Sequence, residues 1–217
     1  MNQISLTPCE LFFLGQQLKA QYIDYAYISI MPDKEDYLNS RLDLEESLSV
    51  KNYITADFSG EIAIEPEVEA LLKPVFFGKK ECAVDFCDCR NKAANSSWRY
   101  HFSEDKITEV VFGEEELIFS ETTEEKLLDR IRLSGEDCLR TQMSAEAGDK
   151  YSLENPEAIL AVKYFEIGGR AAVQTYFAAK GRMYSENSRG EMTELSEAQF
   201  LKSAEYVVRS GAAYSEV

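Results

Sequence analysis

The chain has 217 residues, of which 45% are hydrophobic and 29% charged, and this composition excludes a disordered or fibrous protein. Its 39 acidic residues outnumber the 23 basic ones, and the formal charge of −16 excludes nucleic acid and anionic membrane surfaces as partners, since both would be repelled. The single histidine, His101, excludes multi-histidine metal sites and most hydrolase triads.

Neither a targeting signal nor a membrane span is apparent in the sequence. The first ten residues lack the basic and apolar segments of a secretory signal, and no apolar run approaches the roughly 18 residues of a transmembrane helix. The five cysteines are an odd number and sparsely placed, which favours reduced thiols over a disulfide framework. We therefore expect a cytoplasmic protein without membrane insertion.

Helices are predicted to dominate the first third of the chain. Thr7, Pro8 and Glu10 have the spacing of a capping box, which predicts a helix from there to about Ala20. A second helix is predicted over residues 33–50 and a third from residue 65 to near 74–78, with a small hairpin over residues 53–64 between them. The apolar residues of the second helix are Leu38, Leu42, Leu44 and Leu48.

An aromatic segment lies between the first two helices. Tyr22, Tyr25 and Tyr27 are accompanied by the β-branched residues Ile23, Ile28 and Ile30, which predicts extended or buried packing. A recognition patch is the alternative, because tyrosine gives a large contact area at a low entropy cost. Of the two interpretations we favour packing, in which the tyrosines close one edge of the hydrophobic core.

A strand pattern repeats in the rest of the chain. Four strands are predicted over residues 81–120, followed by a helix whose predicted cap is Thr122 with Glu125. A linker is predicted over residues 134–157, with a short helix possible near residues 136–143. Four further strands over residues 158–195 precede a helix capped by Ser196 and Gln199. The sequence thus predicts one α+β domain, 1–217, made of residues 1–133, the linker and a second half-repeat, 158–217.

The first strand set contains two groups of residues of the types that bind metals or act in catalysis. Cys82, Cys87 and Cys89 with His101 offer zinc-ligand types, but their spacing lacks the usual C-x2-C knuckle and strand alternation separates Cys82 from the other two. We favour structural thiols. His101 has no partners at recognisable spacing, and we predict a surface histidine on a strand. No catalytic or metal residue is predicted.

The loop over residues 90–97 is polar and carries positive charge on an acidic protein. A plain solvated loop is one interpretation, and a loop that grasps a partner is the other, because loops on a rigid sheet often carry binding residues.

The order of these features resembles the EspG family, the cytosolic chaperones of type VII (ESX) secretion, and most closely its shorter members in Firmicutes. The resemblance rests on the leucine-rich second helix, the small hairpin and three segments: Leu6-Thr-Pro-Cys-Glu-Leu-Phe-Phe-Leu14, Ile64-Glu-Pro-Glu-Val-Glu-Ala-Leu-Leu72 and Ala158-Ile-Leu-Ala-Val162.

This resemblance implies a pseudo-twofold α+β fold, in which N-terminal helices cover a central, mostly antiparallel sheet. It also implies no enzymatic activity, no cofactor and a helical-hairpin secretion substrate as the partner. By position, the substrate would contact residues 90–97 and 134–155. The predicted partner-binding residues are Arg90, Asn91, Lys92, Ala93, Ala94 and Asn95.

Two other functions remain open at this point. An acidic immunity or antitoxin protein could block the basic cleft of a secreted toxin, which the charge of −16 suits. An uncharacterised enzyme could use some of the many carboxylates.

Overall fold

The computed structural model describes residues 3–31, 33–57, 59–91, 95–139, 155–186 and 191–212, apart from the side chains of residues 34, 36 and 39. The helices in these ranges are α1 (Pro8–Gln17), α2 (Tyr25–Ile28), α3 (Lys34–Asn39), α4 (Arg41–Val50), α5 (Pro66–Phe77), α6 (Glu124–Leu139) and α7 (Glu197–Ser210).

The strands in the same ranges are β1 (Gln3–Leu6), β2 (Ile54–Ala56), β3 (Ile62–Ile64), β4 (Lys80–Asp88), β5 (Ser96–Phe102), β6 (Ile107–Phe112), β7 (Leu117–Thr122), β8 (Ala158–Glu166), β9 (Ala171–Ala179), β10 (Arg182–Glu186) and β11 (Met192–Leu195).

Nine of these strands form one large sheet in the order β1-β7-β6-β5-β4-β8-β9-β10-β11, and β2 pairs with β3 as a separate hairpin. Every strand pair with a described register is antiparallel. The predicted α+β class with a central, mostly antiparallel sheet is therefore confirmed, as is the small hairpin.

The chain divides into two compact units. The first comprises Met1–Lys79 and His101–Thr122, and the second comprises Lys80–Tyr100 and Thr123–Val217. The division of the chain into two half-repeats around a linker stays a prediction.

A capped helix and a buried ion pair organise the first unit. The Thr7 hydroxyl accepts from the Glu10 amide and the Glu10 carboxylate accepts from the Thr7 amide, which confirms the predicted capping box. The same carboxylate, only 1% exposed, lies 2.8 Å from Lys51 Nζ and accepts from the Ser47 hydroxyl at 2.8 Å. Lys51 Nζ also lies 3.4 Å from Glu116. Burial lowers the pKa of Lys51, but the hydrogen bonds and charges of Glu10 and Glu116 together outweigh this effect, and the pKa is raised.

The N-terminal elements differ from the prediction at three points. Strand β1 was missed, because only Ile4 and Leu6 alternate in its four residues; it pairs with β7. The second helix is interrupted at Ser40. Its apolar residues do not share one face: Leu44 is buried, whereas Leu38 and Leu42 are 56% and 79% exposed. The physical reason is that residues 42 and 44 lie about 200° apart on a helix of 3.6 residues per turn.

The aromatic segment is helical from Tyr25 to Ile28, and the half-buried Tyr22 precedes this helix. The Asp24 carboxylate caps α2 by accepting from the Ala26 amide at 2.7 Å. Tyr27 is buried and stacks on Phe112, while Tyr25 is exposed, so one tyrosine closes the core and the other does not.

The prediction of a surface His101 was wrong. The ring is buried, and its Nε2 lies 2.5 Å from Tyr27 Oη. Tyr100 is also buried, so both alternating positions of β5 are covered here and alternation could not indicate an exposed side.

Helices α6 and α7 of the second unit both begin directly after a capping residue. The cap of α6 is Thr123, whose hydroxyl accepts from the Lys126 amide, and not Thr122, which still belongs to β7. α6 continues to Leu139, six residues beyond the predicted end at Leu133, since residues on its last turns are buried. The predicted capping box of Ser196 and Gln199 on α7 is confirmed.

Candidate functional site

The sheet strands of the second unit have two unlike faces. Helices α6 and α7 contact one of them through β4, β8, β9 and neighbouring strands. Residues on that face are fully buried: Cys82, Val84, Leu160, Val162 and Tyr176. Because side chains alternate along a strand, the residues between them point to the opposite face.

That opposite face carries exposed apolar side chains. Phe165 on β8 is 52% exposed and Val173 on β9 is 55% exposed. They occupy neighbouring positions, since Phe165 pairs with Ala171 and Lys163 with Val173 in the β8–β9 register. We call these two residues, with Glu81, Asp85, Arg99 and Lys163, the open face.

A charged cluster accompanies the apolar residues of the open face. Asp85 accepts hydrogen bonds from Ser97 at 2.6 Å and Arg99 Nη1 at 2.8 Å, and it lies 2.7 Å from Lys163 Nζ. Arg99 also lies 3.6 Å from Glu81. The cluster thus holds two carboxylates and two cations, and it is balanced on a chain of formal charge −16.

The cluster fixes the charge of Asp85. Burial alone would raise its pKa, but the hydrogen bonds from Lys163, Ser97 and Arg99 lower it below its ordinary value. At protein interfaces, charges in fixed positions select the partner that carries complementary groups. The open face therefore combines exposed apolar side chains with charges in fixed positions.

The predicted partner-binding loop begins where β4 ends, three residues after Asp85. Asp88 holds both ends of it: its amide donates to Asn95 Oδ1 at 3.0 Å, its carboxylate accepts from the Arg90 amide at 2.9 Å, and its carbonyl accepts from the Asn91 amide at 3.2 Å. The base of the loop is therefore fixed by hydrogen bonds.

The predicted loop residues differ in accessibility. The Arg90 side chain is only 10% exposed, and its Nε donates to Asp88 at 2.8 Å. Its Nη1 atom is buried and has no hydrogen-bond partner among the residues that the structure describes. Asn91 and Asn95 are exposed. Lys92, Ala93 and Ala94 lie outside the described residues.

The cysteines near this loop have the character of buried thiols. Burial raises the pKa of Cys82 to about 12 and that of Cys138 to about 12. Burial and the neighbouring Cys87 raise the pKa of Cys89 as well. Since the thiolate is the reactive form, these thiols are poor nucleophiles. In the described part of the chain, no three or more His, Cys, Asp or Glu residues are grouped so as to hold a metal ion.

An apolar groove lies between α6 and α7 in the second unit. It has a volume of about 240 Å³ and is lined by the apolar residues Leu139, Met183, Leu195, Phe200 and Leu201, by Gly135 and by the charged residues Arg132, Glu136 and Glu197. This volume is below the roughly 300–1,000 Å³ of small-molecule sites and suits a single large side chain. Gly135 is needed here, because a Cβ at this position would lie 2.4 Å from the Phe200 ring.

Sequence reasoning missed both the open face and the groove. Phe165 and Val173 lie in long apolar runs that read as fully buried strands. The groove combines residues from four separate elements, and no local pattern joins them. One signal for the open face was present in the sequence: the charged residue Lys163 interrupts the apolar run of β8, which indicates that one side of this strand faces solvent.

No helix within the described ranges is long and apolar enough to cross a membrane. No protein-family model matches the chain, and no curated protein matches its sequence. Among solved structures, the fold is similar to that of the Mycobacterium tuberculosis type VII secretion system chaperone EspG5, determined in complex with a PE25–PPE41 dimer. The similarity has a TM-score of 0.62 at 11% sequence identity and covers 99% of this chain and 98% of the EspG5 chain. The EspG-like fold is thus supported, and membership of a Firmicutes-type branch stays a prediction.

Proposed function

We propose that this chain is a non-enzymatic cytosolic chaperone or adaptor that binds a helical substrate of type VII secretion before export. The observation that carries the proposal is the open face, where Phe165 and Val173 are exposed beside a fixed charge cluster in an EspG-like fold. A chaperone of this kind binds an apolar surface of its client and keeps it soluble until delivery.

The open face supplies two parts of such an interaction. The apolar side chains would pack against apolar residues of the client helix and remove their area from water. The balanced cluster around Asp85 would favour clients with polar groups in matching positions and disfavour others, because an unmatched charge loses its hydration on binding. Affinity then comes mainly from Phe165 and Val173, and specificity comes from Asp85, Arg99 and Lys163.

Two further contacts with the client fit the positions implied by the EspG resemblance. The loop of Arg90, Asn91, Lys92, Ala93, Ala94 and Asn95 would reach the client from a base fixed by Asp88. The last turns of α6 border the apolar groove at Gly135 and Leu139, which would accept one large apolar side chain. The partner we propose is a helical-hairpin protein bound one to one.

Co-expression tests the proposal directly. The chain is co-expressed with candidate helical-hairpin secretion substrates, and the soluble complex is recovered by pull-down. The double variant Phe165→Glu/Val173→Glu should lose most of the recovered client. The matched control Tyr206→Glu changes an exposed aromatic residue on α7 and should leave recovery unchanged. Clients that stay equally soluble without the chain, or equal recovery by both variants, would contradict the proposal.

An acidic immunity protein is the second candidate function, favoured by the formal charge of −16. The dependence of the association rate on salt concentration distinguishes the immunity protein from the chaperone. A charge-driven plug should associate at least ~10-fold more slowly when the ionic strength rises from 0.05 to 0.5 M, whereas an apolar interface should change little.

A further inference from the structure

Helices α3 and α4 carry exposed apolar side chains as well as buried ones. Leu38 is 56% exposed, Leu42 is 79% exposed and Val50 is 76% exposed, whereas Leu44 and Leu48 are buried. Ser40 separates the two helices, with φ −85° and ψ 0°, and Leu38 and Leu42 lie two residues to either side of it. We call Leu38, Leu42 and Val50 the α3–α4 ridge.

The ridge is held in place by anchors on the buried side. Tyr37 donates a hydrogen bond to Gln16 at 3.0 Å and contacts Phe12 edge to face, with ring centroids 5.1 Å apart. Leu48 belongs to the core of the first unit. The exposed side chains therefore belong to helices that are packed on one face.

Carboxylates surround the ridge. Glu35, Asp43 and Glu46 are exposed, and Glu46 lies one turn beyond Leu42 on the same side of α4. The nearby Arg41 is paired with Glu45. Residues 33–50 contain six acidic and two basic residues, a formal charge of −4. A second copy of this chain would bring the same negative charge against the ridge, and an anionic membrane would be repelled.

We propose that the α3–α4 ridge is a docking surface for a basic amphipathic helix of a partner protein. Exposed apolar side chains on a helix surface pack into the grooves of another helix. An apolar stripe on the partner would cover Leu38 and Leu42, and flanking lysine or arginine residues would meet Glu35, Asp43 and Glu46. This surface uses none of the residues of the open face and does not depend on the proposed client.

Fluorescence anisotropy with designed peptides tests the proposal. The probe is an 18-residue helical peptide with leucine recurring three and four residues apart and lysine at the flanking positions. Its counterpart has glutamate in place of every lysine. The full-length chain should bind the lysine peptide saturably at about 0.15 M salt, and the glutamate peptide at least ~10-fold more weakly.

Two variants locate the binding. Leu38→Ser/Leu42→Ser should weaken binding of the lysine peptide at least ~10-fold, while Leu133→Ser/Tyr206→Ser, which changes two exposed apolar residues on α6 and α7, should change it less than ~2-fold. Circular dichroism should show both variants folded, since all four side chains are exposed. Equal binding by the two variants, equal binding of the two peptides, or no binding at all overturns the proposal. A wild-type dimer that dissociates in Leu38→Ser/Leu42→Ser also overturns it, because the occupant would then be a second copy.

Discussion

Lys51 neutralises a carboxylate that is almost completely buried, and its replacement by methionine should destabilise the first unit. Methionine keeps most of the aliphatic length and removes the charge. Glu10 would then lose its ion pair at 2.8 Å, and Ser5 would lose a hydrogen bond from Lys51 Nζ to its carbonyl at 3.3 Å. Removing one partner of a buried ion pair leaves the other charge in a poorly solvated place.

The loss of stability in Lys51→Met depends on the hydrogen bonds that Glu10 keeps. Breaking a buried pair costs about 3–5 kcal/mol. Glu10 keeps its hydrogen bonds from the Thr7 amide and the Ser47 hydroxyl, and Lys51 itself is partly exposed. We therefore expect about 3 kcal/mol, the lower end of that range. For a chain of this size, this corresponds to a fall of about 6–12 °C in the melting temperature.

Urea unfolding followed by circular dichroism measures the change, with Lys106→Met as the matched control. Lys106 also pairs with a carboxylate, Glu121 at 3.0 Å, but both side chains are exposed, so its replacement should cost less than ~1 kcal/mol. Adding Glu10→Gln to Lys51→Met should recover part of the loss, because it removes the stranded charge. Similar costs for the two lysine variants, or an additive double variant, would refute this reasoning.

Three further predictions concern the second unit. Gly211→Ala should lower the free energy of unfolding by about 2 kcal/mol or more, because Gly211 has φ +63° and a Cβ would lie 2.4 Å from the Tyr164 ring. The control Gly168→Ala, at φ +69° with nothing within 4 Å of the added Cβ, should lower it by only about 1 kcal/mol. Equal melting temperatures for the two variants would contradict this prediction. Ser196→Ala removes the α7 cap and should lower the free energy of unfolding by about 1 kcal/mol in urea; no change would show that the cap is dispensable. The pKa of Asp85 is lower in the folded chain than in the unfolded chain, so ionised Asp85 stabilises the fold at pH values above its unfolded-state pKa. This stabilisation is lost as the pH falls through the folded-state pKa, so Asp85→Asn should lose less stability than wild type in an acid titration. Identical titration curves would disprove the contribution.

Features set by a few neighbouring residues were predictable from the sequence. The caps at Thr7 and Ser196 depend on side chains that reach a backbone amide three residues away, so their residue pattern determines them. The antiparallel strands followed from alternation and glycine-containing turns such as Gly168.

Features that depend on distant packing were not predictable. Leu42 and Leu44 are equally apolar, and only the position of α4 against α1 decides which of them is buried. His101 was misplaced because its partner Tyr27 is 74 residues away in the chain. The open face was missed for the same reason, since Phe165 is as apolar as a core residue and its exposure depends on which face α6 and α7 cover.

The short strand β1 has a consequence for handling the protein. It occupies one edge of the large sheet, and β11, also four residues long, occupies the other. Short edge strands offer few free backbone groups to a neighbouring chain, which discourages aggregation. Deleting Gln3–Leu6 would uncover the backbone of the longer strand β7, so truncated forms that lack these residues should aggregate more readily than the intact chain.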